Sequence, residues 1–315
     1  MPSVLKKPVV IQILVLLLFP ISCWGNDTPN YQEVVISNGG SIQGQISLIG
    51  KVPKPKGYNL TTLPDPIYCG RISDGKGWRL LQPFDVGPEG EFRQVVVRLE
   101  GVPKGKPFPP ANSPHIQAVD CQFLPFINVV RDQQNVVVVN MDPAMHDIQA
   151  YETSQLGPRV LFNIPLPISP RYPREVALSA HFHKHYQGPP MTQTVKMTKG
   201  RRVFTMQCGF HAFMESWALI PDNPYFAVTD TDGRFEIGDI PPGTYKLSVW
   251  HPYLRDAHEQ IITVGPNASQ EVHLKVAAPT GRLYANQMVE NAYTRYTITE
   301  EVQSQIVPTL EKQVY

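Results

Sequence analysis

The sequence predicts an all-β protein with a Greek-key β-sandwich followed by a second, small β-sandwich. The chain has 315 residues, of which 32 are proline and 22 are glycine, and these divide it into short segments. Between the divisions lie runs rich in Val, Ile, Phe and Tyr, the residues that are enriched in strands. Short strands separated by turns are typical of sandwiches and barrels.

The N-terminal residues have the pattern of a secretory signal. Residues 1–7 are basic and residues 8–21 are almost wholly apolar. A run of about 14 apolar residues is shorter than the roughly 20 that a membrane-spanning helix needs. We therefore predict that residues 1–25 are removed and that the mature protein is exported, to a periplasm or an outer surface. The alternative is a lipid anchor at Cys23, because residues 21–23 resemble a lipoprotein signal.

The balance of charge argues against nucleic acid as a partner. Lysine and arginine together number 28, and aspartate and glutamate number 27. Loss of Lys6 and Lys7 with the signal leaves a net charge of about −1 with neutral histidines, whereas nucleic-acid-binding domains carry a basic surface. Apart from a lipid anchor, the sequence predicts no membrane partner.

Residues 38–220 are predicted to form the first unit. Residues 41–49 alternate between apolar and polar side chains, as a half-buried strand does. The Val-rich run at 135–140 favours a strand that is buried on both faces. Further strands are predicted at 92–99, 123–130 and 203–208. Residues 155–200 lose the alternation, and we predict a loop insertion there.

Residues 221–278 are predicted to form the second unit. An Asp-Gly pair at 232–233 predicts the turn of a hairpin within 227–237, because this pair favours two-residue hairpin turns. A Pro-Pro-Gly turn follows and introduces a strand that runs to Trp250. The last strands are predicted at 258–264 and 269–276. Residues 279–315 are polar, and we predict a C-terminal tail with a short helix near 300–306.

The number of cysteines indicates one unpaired thiol. If Cys23 is lost with the signal or carries a lipid, then Cys69, Cys121 and Cys208 remain. In an oxidising compartment two of these can pair and one is left over. Because Cys208 lies among metal-ligand residue types and the other two do not, we predict a disulfide between Cys69 and Cys121.

Three metal-ligand residue types follow a predicted strand on one tight loop. Cys208, His211 and Met214 have the spacing Cys-x2-His-x2-Met. His146 follows the end of the strand at 135–140, where two strand ends of a sandwich can meet. Two imidazoles, a thiolate and a thioether form the ligand set of electron-transfer copper sites. We predict one mononuclear copper site made by these four side chains, and no catalytic residue.

This pattern resembles the cupredoxins, and the short spacing of the Cys208 loop is most similar to the amicyanin type. In that family a histidine follows a strand in an Asn-x5-His pattern, which Asn140 and His146 match. The resemblance covers 120–220 well and 38–119 loosely. It implies a cupredoxin-like β-sandwich with a buried type 1 copper. It also implies an electron carrier rather than an enzyme, with transient docking to a redox protein such as a cytochrome, an oxidase or a dehydrogenase.

Two positions depart from the cupredoxin pattern. Asp147 stands where asparagine commonly follows the first histidine, and Phe210 stands where proline often precedes the second. The first departure bears on the side-chain hydrogen bonds that tie the two ligand loops together and orient the ligands.

Apolar residues flank the predicted ligands. They are Ala144, Met145, Phe210, Ala212 and Phe213. We predict that they form a rim around an exposed edge of His211, through which electrons pass, because small apolar interfaces suit brief docking. Ordinary loop packing is the alternative interpretation of these residues.

Other metal chemistries remain open at this stage. Zinc is the main rival metal, although zinc sites rarely recruit methionine. A full trinuclear copper cluster needs eight imidazoles, and only seven of the nine histidines remain beside the mononuclear site. His181, His183 and His185 lie at alternate positions and form either a solvated loop or a second, labile metal site. His251 is predicted to be a structural histidine.

The second unit resembles the carboxypeptidase regulatory-like, prealbumin-like sandwich domain. The match lies in Asp-x-Asp-Gly-x-Phe-x-Ile at 230–237 and in the Ile-Pro-Pro-Gly-Thr-Tyr run at 240–245. This resemblance implies a non-catalytic packing or interaction module. Asp230, Asp232 and Asp239 could suggest calcium, but Asp-Gly in a turn explains them better.

Two further classes of function compete with the electron carrier. One is a copper-binding or copper-delivery protein without redox duty, which would use the same ligands together with the histidines at 181–185. The other is an envelope scaffold or interaction protein whose metal loop has no task.

Overall fold

The structure is a computed structural model that describes residues 31–110, 113–153, 157–173, 178–198, 200–255, 258–288 and 305–310. The predicted signal at 1–25, its Cys23 and most of the helix predicted at 300–306 lie outside the described residues. Within the described part of the chain, no helix is long and apolar enough to span a membrane.

Strands dominate the described residues. The strands are β1 Gln32–Glu33, β2 Gly40–Ile49, β3 Lys56–Asn59, β4 Trp78–Leu81, β5 Val96–Glu100, β6 Lys104–Gly105, β7 His115–Val119, β8 Gln122–Leu124, β9 Ile127–Val129, β10 Asn135–Asn140, β11 His146–Glu152, β12 Arg159–Leu166, β13 Met191–Thr194, β14 Val203–Gln207, β15 Glu215–Leu219, β16 Phe226–Val228, β17 Arg234–Ile240, β18 Gly243–Trp250, β19 His258–Val264 and β20 Ser269–Ala277. A short helix α1, Pro66–Cys69, lies between 3₁₀ turns at Leu60–Thr62 and Gly70–Ile72.

Two β-sandwiches account for most of the strands, which confirms the predicted all-β class. The first sandwich packs a sheet in the order β13-β10-β7-β8 against a sheet in the order β12-β11-β14-β15-β9. The second packs β16-β5-β18-β19 against β17-β2-β20. Each sandwich has its own apolar core, because the inward-facing residues of both sheets must be buried against each other.

The strand pairing corrects the predicted start of the first unit. Strand β2 pairs with β17 and β20, and β5 pairs with β16 and β18, so the strands near 40–49 and 96–100 belong to the second sandwich. The first sandwich begins at β7. Alternation shows which face of β2 is buried but not which partner strand it meets, because pairing over more than 200 residues leaves no local pattern.

Three further predictions are corrected. The run at 123–130 forms two strands, β8 and β9, in different sheets, because Pro125 between them cannot donate a ladder hydrogen bond. The predicted insertion at 155–200 contains the edge strands β12 and β13. Most of β12 is exposed or half-buried without alternation, and β13 has only four residues, so neither strand has a clear sequence pattern. The segment 227–237 turns at Gly233 as predicted, but β16 and β17 then join different sheets and form no hairpin.

An apolar contact joins the two sandwiches. It is formed by Leu81, Val96, Phe126, Ile127 and Leu219, which come from both units and are all buried. Part of the predicted polar tail also packs: Ile306 is buried in the core of the first sandwich. Residues 305–310 are therefore anchored on the fold.

Candidate metal centre

Strand order brings the two predicted ligand loops together. Strands β11 and β14 are antiparallel neighbours, so the start of β11 and the end of β14 lie at the same end of the sheet. His146 is the first residue of β11, and Cys208 directly follows β14. The loop 208–214 then leads into β15.

Three predicted ligands converge on one point. The Nδ1 atoms of His146 and His211 are 3.1 Å apart, and the Cys208 Sγ lies 3.9 Å from the first and 3.7 Å from the second. Metal–nitrogen bonds of about 2.0 Å and metal–sulfur bonds of about 2.3 Å place such donors roughly 3 to 4 Å from one another. The two imidazoles and the thiol therefore fit a single metal ion.

Met214, the fourth predicted ligand, is fully buried in the same core. Backbone hydrogen bonds close the ligand loop around it. The amide of Cys208 donates to the carbonyl of Met214, and the amide of Met214 donates to the carbonyl of His211. The loop is thus a tight turn that is closed by its own backbone hydrogen bonds.

Burial sets the electrostatics of the thiol. Burial raises the pKa of Cys208 to about 11, although hydrogen bonds from neighbouring backbone amides lower it in part. A metal ion binds the thiolate, so binding at this site releases a proton from Cys208.

Asp147 joins the two ligand loops. Its carboxylate accepts a hydrogen bond from the backbone amide of Gly209, next to Cys208. The same carboxylate accepts from the side-chain amide of Gln149. Asp147 stands where asparagine is common in the cupredoxin pattern, and its carboxylate ties the two ligand loops together.

Asp142 is a contact of the site that the sequence analysis missed. Its Oδ2 lies 2.9 Å from Nε2 of His146, and both side chains are fully buried. Burial raises the pKa of Asp142, but the hydrogen bonds from His146, the Cys121 amide and the Tyr68 hydroxyl outweigh burial and lower it. The only sequence signal was an acidic residue four positions before His146 in the same loop.

His211 is covered by a segment that lies in sequence between β2 and β5, whereas we predicted that one edge of its ring is exposed. Residues 56–81, called here the covering segment, contain β3, α1 and β4. The Nε2 of His211 lies 3.2 Å from the carbonyl oxygen of Pro64 and 3.6 Å from a carboxylate oxygen of Asp65. His211 is 0% exposed. The predicted exposed edge of the His211 ring is therefore wrong for the described structure, because the ring is buried.

The covering segment is fastened at several points. Cys69 and Cys121 form the predicted disulfide, which is confirmed. The Tyr68 hydroxyl donates to Asp142. At the other end of the segment, Lys56 forms a buried ion pair of 2.8 Å with Glu215, the residue after Met214. The cover therefore belongs to the folded site.

The predicted apolar rim is only partly formed. Met145 is 56% exposed and Phe210 is 41% exposed, and Ala212 is also exposed. Ala144 and Phe213 are buried in the core instead. An apolar surface formed by Met145, Phe210 and Ala212 thus lies beside the ligands, while His211 lies beneath the covering segment.

Within the described residues, no group of possible metal ligands contains more than one of the histidines at 181–185. His185 lies near Asp120 and Asp142, with ligand atoms within 4.8 Å of one another. His183 Nδ1 lies 2.9 Å from the Arg71 guanidinium, and His185 Nδ1 lies 3.0 Å from the Met141 carbonyl oxygen. His185 Nε2 is near Asp120, which itself pairs with Arg71. A cation so close to Asp120 disfavours a metal ion at that carboxylate.

His251 is structural, as predicted. It is buried against Phe84 and Phe92, and its Nε2 lies 3.0 Å from the carbonyl oxygen of Pro83. Burial lowers the pKa of His251 to about 3, so the ring is neutral. Asp230 is likewise explained by its turn, because its carboxylate accepts from the amides of Asp232 and Arg234.

One known protein family matches part of the chain in sequence. The family described as polysaccharide lyase family 4, domain II matches residues 216–272. No curated protein sequence matches this chain. The family name differs from the carboxypeptidase regulatory-like resemblance, which stays a prediction, and both describe a small β-domain in this region.

Several solved cupredoxin structures are similar to part of the chain. A copper-containing nitrite reductase from Thermus scotoductus SA-01 is 14% identical over 35% of this chain and 22% of its own, with a TM-score of 0.23. A purple cupredoxin from Nitrosopumilus maritimus is 15% identical over 35% of this chain and 100% of its own, with a TM-score of 0.24. Amicyanin from Paracoccus versutus is 12% identical over 40% of this chain and 97% of its own, with a TM-score of 0.22. The chain spans about a fifth of the nitrite reductase.

Proposed function

We propose that the mature chain is an exported protein that carries single electrons through one type 1 copper ion. The observation that carries this proposal is the convergence of one thiol and two imidazole nitrogens, 3.1 to 3.9 Å apart, in a fully buried position. Met214 lies in the same core and would supply the weak fourth ligand. Copper bound there would accept and release one electron by alternating between Cu(II) and Cu(I).

The residues of the chain suit that task because they are rigidly held. The ligands stand at the ends of paired strands, and backbone hydrogen bonds and Asp147 connect the two loops. A site that is held in place needs little rearrangement when the charge of the ion changes. Burial of all four side chains also keeps water from the ion.

We propose the surface of Met145, Phe210 and Ala212 as the place where a redox protein docks. It is apolar, exposed and directly beside two ligands. Because the covering segment shields His211, electrons would pass through this surface rather than through the His211 edge. A small apolar contact of this kind suits a partner that binds briefly, such as a cytochrome, an oxidase or a dehydrogenase.

Visible spectroscopy of the protein loaded with Cu(II) tests the proposal. We expect an intense thiolate-to-copper band that bleaches reversibly on reduction, at one copper per chain. The matched control is Cys208→Ser, which removes the thiolate and should abolish the band. Colourless, tightly bound Cu(I) that resists oxidation would instead favour copper delivery. Preferential binding of zinc would favour a zinc site, and no stoichiometric metal would favour a scaffold protein.

Export is part of the proposal and rests on residues 1–25. Expression of the full chain in a bacterial host, followed by fractionation and mass measurement, tests it. We expect a mature form that starts near residue 26. A form that begins at a lipid-modified Cys23 would place the protein on a membrane surface, and an unprocessed chain would contradict export.

A further inference from the structure

Asp142 lies directly behind His146, on the side away from the other ligands. The Nδ1 of the His146 ring faces Cys208 and His211, and the Nε2 of the same ring lies 2.9 Å from Oδ2 of Asp142. When Nδ1 binds a metal, Nε2 carries the ring proton and donates it in a hydrogen bond to the carboxylate. Asp142 is thus the hydrogen-bond partner of a ligand.

The carboxylate of Asp142 is held by three further donors. The amide of Asp120 donates to Oδ1 at 2.7 Å, and the amide of Cys121 donates to Oδ2 at 2.8 Å. The Tyr68 hydroxyl donates to Oδ1 at 2.9 Å. These contacts fix the carboxylate in a position where it is fully buried. The Nδ1 of His185 lies 3.9 Å from Oδ1, so Oδ2 is the oxygen that faces the His146 ring. Because the carboxylate is buried away from water, its charge acts strongly on that ring.

We propose that Asp142 is a positioning residue that sets the reduction potential of the copper site, acting through His146. This inference rests on the proposed copper function. A carboxylate that accepts from an imidazole orients the ring and makes its free nitrogen a stronger donor. The stronger donation and the negative charge of the carboxylate both favour Cu(II), the more highly charged form of the ion, over Cu(I). Asp142 therefore lowers the potential.

Removal of the charge provides the first test. In Asp142→Asn, the ratio of Cu(II) affinity to Cu(I) affinity should fall at least about tenfold, which is a rise of about 59 mV for one electron. The matched control is Asp120→Asn. It removes the charge of a neighbouring carboxylate that pairs with Arg71 and, among the described residues, makes no hydrogen bond to His146. The Asp120 backbone amide that donates to Asp142 is kept. Its shift should be less than a third as large, and equal shifts in the two variants would overturn the proposal.

A second variant has the opposite sign and keeps the charge. Tyr68→Phe removes one donor to Asp142, so the carboxylate acts more strongly on His146 and the potential should fall below the wild-type value. This measurement decides the question even if Asp142→Asn does not fold. An unchanged or raised potential in Tyr68→Phe overturns the proposal.

The copper-free protein gives an independent readout. At pH 8, nitrogen NMR of the wild type should show a slowly exchanging proton on Nε2 of His146, and Asp142→Asn should lose this protection. If the wild type binds no copper with an intense visible band, the proposed function itself fails. If that band is present but both variants keep the wild-type potential, only the role of Asp142 fails.

Discussion

At the scale of single residues, the site depends on which atoms face the metal position. His146 and His211 present Nδ1 to each other and to Cys208, and the opposite nitrogen of each ring is occupied by a protein oxygen, from Asp142 or from Pro64. Each ring is therefore fixed in orientation by two contacts. A fixed ring needs no reorganisation when a metal ion changes its charge.

Met214 is predicted to be the weak fourth ligand. Met214→Gln should keep the copper and its visible band, because the thiolate and both imidazoles remain. The potential should fall by at least about 59 mV, a tenfold change in relative affinity, because an amide oxygen favours Cu(II) more than a thioether does. Voltammetry of both proteins checks this. An unchanged potential would remove Met214 from the ligand set.

Phe210 is predicted to belong to the docking surface. Phe210→Ser should leave the visible band in place and slow electron exchange between oxidised and reduced protein about tenfold or more, because apolar contact beside the ligands is lost. Line broadening in NMR of mixed oxidation states measures the exchange rate. Ile261→Ser is the matched control, since Ile261 is 68% exposed on β19 of the other sandwich. Equal rates in the two variants would place the docking surface elsewhere.

At the scale of elements, the covering segment and the ligand loop are tied by one buried ion pair. Lys56 lies in β3 and Glu215 begins β15, and a tyrosine hydroxyl, from Tyr253, donates to the same carboxylate. The Lys56 ammonium also donates to the Tyr253 hydroxyl oxygen. The pair fixes β3 beside the end of the Cys208 loop. Together with the disulfide and the hydrogen bond from Tyr68 to Asp142, this pair holds the covering segment over His211.

We expect Lys56→Met to destabilise the protein. The loss should be about 3 kcal/mol in the free energy of unfolding, because the substitution leaves the Glu215 carboxylate buried without its cation. Urea unfolding of the copper-free protein measures it. The double variant Lys56→Met with Glu215→Gln removes both charges and should recover part of the loss. If Lys56→Met alone is as stable as the wild type, the pair does not fasten the segment.

At the scale of the whole molecule, the chain crosses between the two sandwiches more than once. Strands β2 and β5 lie in the second sandwich, the chain then builds the first sandwich from β7 to β15, and β16 to β20 complete the second. The covering segment lies between β2 and β5 in sequence and packs against the first sandwich. The candidate metal site is thus covered by residues that lie, in sequence, between two strands of the second sandwich.

The disulfide between Cys69 and Cys121 links the covering segment to the first sandwich across a sequence separation of 52. The double variant Cys69→Ser with Cys121→Ser should lower the free energy of unfolding of the copper-free protein by about 4 kcal/mol, because the unfolded chain regains the freedom of that loop. Denaturant unfolding checks this. The control is Cys208→Ser, which keeps the disulfide. Its free energy of unfolding should fall by less than that of the double variant. Equal unfolding midpoints for the double variant and the wild type would contradict the prediction.

Local features of the fold and the site were predictable from the sequence. The Cys208 loop carries three ligand types within seven residues, and its position after a strand predicts a sandwich end. The strands from β17 to β20 were placed to within a few residues, since Gly and Pro mark their ends. The disulfide followed from counting cysteines. Each of these inferences uses residues that are close in sequence or a count over the whole chain.

Contacts between distant segments were not predictable in the same way. The assignment of β2 and β5 to the second sandwich was missed, and so were the contact of Pro64 with His211 and the tie between Lys56 and Glu215. The covering segment is rich in turn residues, which predict loops but not their position on the surface. A loop carries no periodic pattern that would reveal what it packs against.

The sequence by itself determined the all-β class, the residue types at the candidate ligand positions and the pairing of Cys69 with Cys121. Only the tertiary structure decided that His211 is covered, that Asp142 contacts His146, and that the N-terminal strands β2 and β5 belong to the second sandwich. The physical reason is the distance in sequence over which each effect acts. Side-chain periodicity and turn chemistry depend on residues that are neighbours in the chain. The covering of His211 and the charged groups around His146 depend on which distant segments meet when the apolar faces of the sheets are buried.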